Sequence, residues 1–431
     1  MKEGWRIVAT ALAVLGLVLF SVQFAVRATP GLPQTAPQVP DILGPFETDA
    51  PVNSASDWVE RRAPILRAAF QRLIYGDLPP AITPALESRR LIDAAAFSGA
   101  ARIEEWVLAV PLREKRVRFR ALVLTPNGAK GPVPTVIATN FCGNRAALAG
   151  AYKSIERPDW APKRCRTPFG QWTAEALHGA DIIAAPFEAL TRAGYAAVTF
   201  FPMEIVADDR TLSAATLKLL TDDMEGQKTR TGALAAWAWG YSRVVDALYA
   251  DPAFDTDRIA LWGHSRFGKA ALLATAFDGR IAAVVANQSG TFGATLSRHS
   301  RGESIPAVTM KFPHWFTPEV QRFAGRPQDL PLDQHLLIAL IAPRPILLGG
   351  ASMDRWSDPA NAFEAARAAA PVYELFGEEG VRQASFRRPD ESSPVTLYVR
   401  PGGHGVRPRD WREAIAFLNT HLKSSPPAPP S

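Results

Sequence analysis

Apolar and polar positions recur along this chain in two periods. Short apolar runs of strand length stand at 134–139, 196–201, 258–262, 281–286, 345–349 and 395–399. Runs of this kind suit strands that are covered on both sheet faces. Between them lie stretches whose apolar residues return every three or four positions, the mark of helices packed on one face. They predict helices over 57–75 (capped by Asp57 or Ser56), 186–193, 231–249, 269–277, 332–341, 359–369 and 411–422. Segments 102–110 and 115–124 alternate residue by residue and predict an antiparallel pair at the entrance to the sheet. Strands that alternate with helices in this way predict an α/β fold, with a mostly parallel sheet and helices on both faces.

The stretches outside this pattern divide the chain. Lys2 and Arg6 precede an apolar run over 8–26. A basic start and an apolar core predict a signal peptide or a membrane anchor over residues 1–28. Either one places the rest outside the cytoplasm: periplasmic, extracellular or held at the inner membrane. Residues 29–55 are rich in proline and are expected as an extended linker. The folded domain is expected over 56–423, with a disordered tail over 424–431. Within the domain, 145–180 shows neither period and is expected as an irregular insertion that shapes the substrate site.

The net charge of +6 comes without a dense Lys/Arg run interleaved with aromatics, so no nucleic-acid partner is expected. There are two cysteines, Cys142 and Cys165. In an exported chain they are either a disulfide or two buried thiols. One pair matches no metal-ligand spacing, and neither a metal nor an organic cofactor is expected.

The candidate chemistry centres on Gly263-His-Ser-Arg-Phe-Gly-Lys269. A serine between a strand and a helix, with glycines close by, is the layout of a nucleophile elbow. The second glycine is displaced by one place, to Gly268, and a plain turn is the competing reading. A serine hydroxyl needs a base, and the base needs an orienting acceptor. In the α/β-hydrolase fold they follow in the order Ser, Asp or Glu, His, at successive strand ends. Here Ser265, then Asp354 or Asp358, then His404 in a Gly-Gly-His-Gly turn stand in that order. Asp358 precedes Pro359 and reads as a helix cap, which leaves Asp354 as the favoured acid. Arg266 and Lys269 lie at the start of a helix, where cations oppose the helix dipole. Their placement therefore argues for a function.

These residues resemble the glucuronoyl esterases, carbohydrate esterase family 15, whose elbow has the form Gly-x-Ser-Arg-x-Gly-Lys. Asn140-Phe-x-Gly-Asn144, Trp239-Gly-Tyr-Ser-Arg243, Asn287-Gln-Ser-Gly290, Ser297-Arg with Gly302-Glu303, and Asp354-x-Trp356-x-Asp-Pro359 resemble its bacterial branch. The resemblance implies cleavage of esters between glucuronic acid on xylan and lignin alcohols. It implies Ser265 as nucleophile, His404 as base, and Arg266 as oxyanion donor through its backbone N–H and guanidinium. Lys269, Glu303 and Trp356 would face the glucuronoyl ring. A structural ion pair for Lys269 and Glu303, and a packing role for Trp356, remain open. Many members place the acid as glutamate in a Glu-Ser-Gly motif after the strand that follows the elbow. Here that position is Gln288, so the acid is expected from the later loop, at Asp354.

The first reading is thus a serine carboxyl-ester hydrolase acting on a glucuronic-acid-bearing polysaccharide. An acetyl or cinnamoyl esterase of the same fold, or a non-catalytic carbohydrate-binding protein, are the alternatives. A His404 base of ordinary basicity would switch activity on near pH ~6.5.

Overall fold

The computed structural model describes residues 38–112, 115–222, 230–298, 300–385 and 388–423. The expected signal or anchor at 1–28 and the expected tail at 424–431 lie outside them. Among the described residues, no helix is long and apolar enough to cross a membrane.

Among the described residues, nine strands form one sheet: β1 Ala85–Ala95, β2 Ala101–Pro111, β3 Arg116–Pro126, β4 Val133–Thr139, β5 Ala196–Phe200, β6 Phe254–His264, β7 Ala283–Asn287, β8 Ile346–Ala351 and β9 Val395–Arg400. Their order across the sheet is β1-β2-β3-β5-β4-β6-β7-β8-β9. The first three strands and the β3–β5 contact are antiparallel, and every later pairing is parallel. This is the mostly parallel sheet expected of an α/β-hydrolase fold.

The longer α-helices among the described residues accompany the sheet. The first, α1, runs through Asp57–Arg62, Ala63–Phe70 and Gln71–Tyr75. The others are α2 Pro168–His178, α3 Phe187–Arg192, α4 Ser213–Asp222, α5 Ala233–Tyr249, α6 Arg266–Phe277, α7 Ile305–Lys311, α8 Gln334–Ala339, α9 Pro359–Leu375 and α10 Pro408–Leu418.

Successive residues of a strand feed opposite cores, as the period of two requires. In β4, Ile137 joins the larger core with α1, α5, α6, α8 and α9. Its neighbours Val136 and Ala138 join a smaller core with α3 and α10. The aromatics of α5, Trp237, Trp239 and Tyr241, are buried packing groups.

Several elements depart from the expectation. Strand β1 carries no apolar alternation because it is an edge strand exposed along most of its length. It is held by charges instead, with Arg89 paired to Glu104 at 2.8 Å and Arg90 to Glu105 at 2.6 Å. The cap of α1 falls at Ser54 rather than at Ser56 or Asp57. Its Oγ accepts from Asp57 N at 3.1 Å, and the Asp57 carboxylate accepts from Asn53 N at 2.9 Å.

Residues 38–55 are not an extended linker. Ile42, Phe46 and Val52 are buried. The buried Arg62 guanidinium donates to the Gly44 and Ala50 carbonyls at 2.7 and 2.8 Å and pairs with Asp49 at 2.6 Å. The stretch 145–180 is irregular only as far as its disulfide. Beyond it lies α2, capped by Thr167, whose side chain accepts from Gly170 N.

Candidate active site

Strand β6 ends at His264 and α6 begins at Arg266, so Ser265 alone makes the turn. Its backbone is left-handed, at φ 56° and ψ −125°, a region that non-glycine residues occupy only under constraint. The constraint comes from both sides. Ser265 N donates to Asn287 O at 2.9 Å, and its carbonyl accepts from Lys269 N at 3.1 Å. Gly263 is required because a Cβ there would meet Phe267 O at 2.2 Å. The displaced second glycine now has a physical reason. Phe267 turns into the core against Phe141 and Trp237, and Gly268 instead faces the Gly263 carbonyl and Ser289.

Three loops meet at this turn. His404 Nε2 lies 3.1 Å from Ser265 Oγ, and His404 Nδ1 lies 2.6 Å from Asp354 Oδ2. Asp354 is buried and also accepts from Ser357 N at 3.2 Å and from Ser357 Oγ. Burial pushes its carboxyl up. The hydrogen bond and charge of His404, with those from Ser357, more than offset this and hold it below the usual carboxylate range. Asp358 caps α9, accepting from Asn361 N, and takes no part in the line.

The loop that carries His404 is braced from below. Arg400 donates to the carbonyls of Pro401 and Gly405 at 3.0 and 2.7 Å and pairs with Asp410 at 2.8 Å. Gly405 is needed for close approach, since a Cβ would lie 1.8 Å from His178 O. Gln288, where the resemblance placed a glutamate in many members, hydrogen-bonds backbone. Its Oε1 accepts from Gly405 N at 2.9 Å and its Nε2 donates to Gly405 O at 3.0 Å.

Both cations at the start of α6 are paired, which offsets the unfavourable dipole. Lys269 Nζ donates to Glu303 Oε2 at 2.6 Å and to the Thr291 carbonyl, and the pair is buried. Burial pushes the Lys269 ammonium down, and Glu303 opposes that. Trp356 donates to Glu303 Oε1 at 3.2 Å while its ring stays 42% exposed, so these three residues form one group with an open aromatic face. Arg266 is paired with Asp208, which sequence reasoning missed. Asp208 sits between β5 and α4 in a polar stretch with no motif or period to single it out. Burial, with Arg164 nearby, pushes the Arg266 guanidinium down to about 9, so it stays charged at neutral pH.

A cavity of about 110 Å³ opens beside Ser265, Arg266 and His404. It is also lined by Phe141, Cys142 of the Cys142–Cys165 disulfide, Arg164, and Ala174 and His178 of α2. His178 also meets the His404 carbonyl with Nδ1 at 3.2 Å. His264 stands behind His404 with ring centroids 4.6 Å apart. Burial, then the charge of His404, holds His264 well below its ordinary value, so it is neutral. Among the described residues, no three His, Cys, Asp or Glu side chains are grouped to hold a metal.

Comparison with known proteins identifies the family. The family model described as "Glucuronyl esterase, fungi" matches residues 168–377. Carbohydrate esterase MZ0003, from an unknown prokaryotic organism, is 32% identical over 386 residues, covering 86% of this chain and 87% of its own. Among solved structures, a promiscuous CE15 esterase from a marine bacterial metagenome superposes with a TM-score of 0.76 at 30% identity, over 92% of this chain and 99% of its own. The glucuronoyl esterase from Solibacter usitatus follows at 0.73 and 29%, over 90% and 98%. The chain belongs to carbohydrate esterase family 15, the glucuronoyl esterases, and is a carboxylic ester hydrolase of the α/β-hydrolase fold.

Proposed function

We propose that the chain hydrolyses glucuronoyl esters through a Ser265–His404–Asp354 triad and an acyl-enzyme. The observation that carries this is the unbroken line from Ser265 Oγ through both ring nitrogens of His404 to a buried carboxylate. The names of relatives supply the acid: a 4-O-methyl-glucuronoyl methylesterase from Wolfiporia cocos is 34% identical over 190 residues.

In the first half-reaction Ser265 Oγ attacks the ester carbonyl and its proton passes to His404 Nε2. Asp354 accepts from Nδ1–H, fixing the tautomer and stabilising the imidazolium. The oxyanion forms beside the Arg266 backbone N–H, which is free of helix bonds as the first residue of α6, and beside its guanidinium. The bond from carbon to the alcohol oxygen breaks, and His404 returns the proton to the leaving alcohol. Water then attacks the acyl carbon, His404 takes its proton, and uronate leaves as Ser265 regains its hydrogen. Lys269, Glu303 and Trp356 hold the uronate ring. The alcohol oxygen must lie within reach of His404 Nε2, so the cavity between His404 and the disulfide receives the alcohol. The disulfide suits an oxidising compartment, in keeping with export by the N-terminal segment.

Release of alcohol from methyl and benzyl glucuronate tests this against the matching galacturonates and against acetate from acetylated xylan. Glucuronate esters should be turned over fastest, and Ser265→Ala should abolish turnover while ligand binding survives. Faster acetate release would instead favour an acetyl esterase. Turnover that persists in Ser265→Ala would rule out the nucleophile.

A further inference from the structure

We infer that Asp208 is the positioning residue for the Arg266 guanidinium, an inference that rests on the oxyanion role proposed for Arg266. Asp208 lies in the chain between β5 and α4, outside every motif shared with the family, and its side chain is almost fully buried. Its carboxylate gathers three donors. They are Arg266 Nη1, His314 Nε2 at 3.0 Å and Trp315 Nε1 at 2.7 Å.

The same guanidinium lies beside an aromatic pair. Arg266 Cζ lies 5.3 Å from the Phe312 ring centroid and 5.0 Å from that of Trp315. Those two rings stack at 3.9 Å and 3° on one another. Asp208 therefore holds one edge of the guanidinium and also the tryptophan beside it. His314 adds no charge at neutral pH, because burial and then Arg266 push its imidazole down to about 4. It acts as a neutral donor through Nε2.

The donors left over set the function. Among the described residues, Nη1 is the guanidinium nitrogen that protein engages. Nε is sealed from water without a partner. The residue so held also lines the cavity beside Ser265. A free arginine side chain loses rotamer entropy when it is fixed. Here it is fixed before substrate arrives, which is the preorganisation an oxyanion donor needs. A carboxylate beside the guanidinium subtracts positive potential from the site, so Asp208 acts by geometry and not by adding field. The prediction is therefore a loss of turnover on removing Asp208, where a purely coulombic account predicts a gain.

The test is steady-state kinetics on methyl glucuronate for Asp208→Asn, Arg266→Ala and the double variant, with thermal melts alongside. His314→Ala, which removes one of the donors holding the carboxylate, is the second probe. Asp208→Asn should lower kcat about 10-fold or more with KM changed less than about threefold, because the oxyanion exists only in the transition state. In the Arg266→Ala background the same change should add less than about twofold, since nothing remains to be positioned. His314→Ala should lower kcat by a smaller factor that also vanishes in that background. The proposal is overturned if neither variant lowers kcat, or if Asp208→Asn costs the same with and without Arg266. If Arg266→Ala itself keeps full kcat, it is the oxyanion role that fails, and the proposal fails with it.

Discussion

The ends of β7 and β8 are neighbours in the sheet, and both reach the loop that carries His404. They do so with different chemistry. After β7, the Gln288 amide pairs with both backbone groups of Gly405. After β8, the Asp354 carboxylate accepts a hydrogen bond from Nδ1–H of His404. The backbone of one residue offers one donor and one acceptor, and an amide matches both, whereas a carboxylate can only accept. An imidazole that must become a cation needs an acceptor with charge. One strand end therefore fixes the loop and the other fixes the ring, and the two positions are not interchangeable in this chain.

The largest expected effect comes from breaking the β8 side. Asp354→Asn keeps the shape but presents an amide that can drive the imidazole into the wrong tautomer. It should lower kcat by about 10³- to 10⁴-fold, the scale seen when a triad carboxylate is replaced by its amide. The melting temperature should change little by comparison. Steady-state hydrolysis of methyl glucuronate measures this, and a loss under about tenfold would remove Asp354 from the mechanism.

Next in size is Gln288→Glu. A carboxylate there would set an acceptor against the Gly405 carbonyl, so the buried group should take up a proton or push the loop away. We expect kcat to fall about 10- to 100-fold, with the loss growing as pH rises and the new carboxyl ionises. The double variant Asp354→Asn/Gln288→Glu sharpens the contrast. If the acid could move to the β7 side, it would recover activity over Asp354→Asn alone. The geometry predicts no recovery, because residue 288 faces backbone and not the ring.

The two strand ends also differ in how far the sequence foretold them. The order of Ser265, Asp354 and His404 was readable because each follows an apolar strand and precedes a helix or a glycine-rich turn. The departure at Gln288 was visible too, but its partner was not. The Gly405 backbone has no residue signature, so nothing in the chain announces which amide it will meet. Asp208 was hidden for the same reason, since its three donors come from segments about 58 and 107 residues away, brought there by folding alone. In the fold, buried strands declared themselves by apolar runs. The exposed edge strand β1 did not, because its stabilisation comes from backbone pairing and ion pairs rather than burial. The packed stretch 38–55 was masked by its prolines, while the pattern of Ile42, Phe46 and Val52 was too sparse to show a period.

The smallest expected effects separate the two sides by pH. On the β7 side, Asn287 Nδ2 lies 3.3 Å from His264 Nδ1, which accepts as a neutral ring. The folded-state pKa of His264 is held far below its ordinary 6.5, by burial first. The unfolded chain then binds more protons, so this contribution is present above pH ~6.5 and is lost as pH falls toward the folded value. Each unit of that depression contributes about 1.4 kcal/mol. On the β8 side the sign of the shift is the same but the window is lower. The Asp354 carboxyl is held below 3.8, so its contribution is intact above that pH and is lost only as the carboxylate is protonated in the folded state. Melting temperatures recorded from pH 7 to pH 3 should therefore show two separable losses. His264→Gln should flatten the slope that begins as pH falls below about 6.5 and leave the one that begins below about 3.8. Asp354→Asn should flatten only the lower. A single shared window, or a His264→Gln slope equal to that of the wild-type chain, would mean that the two strand ends titrate as one unit.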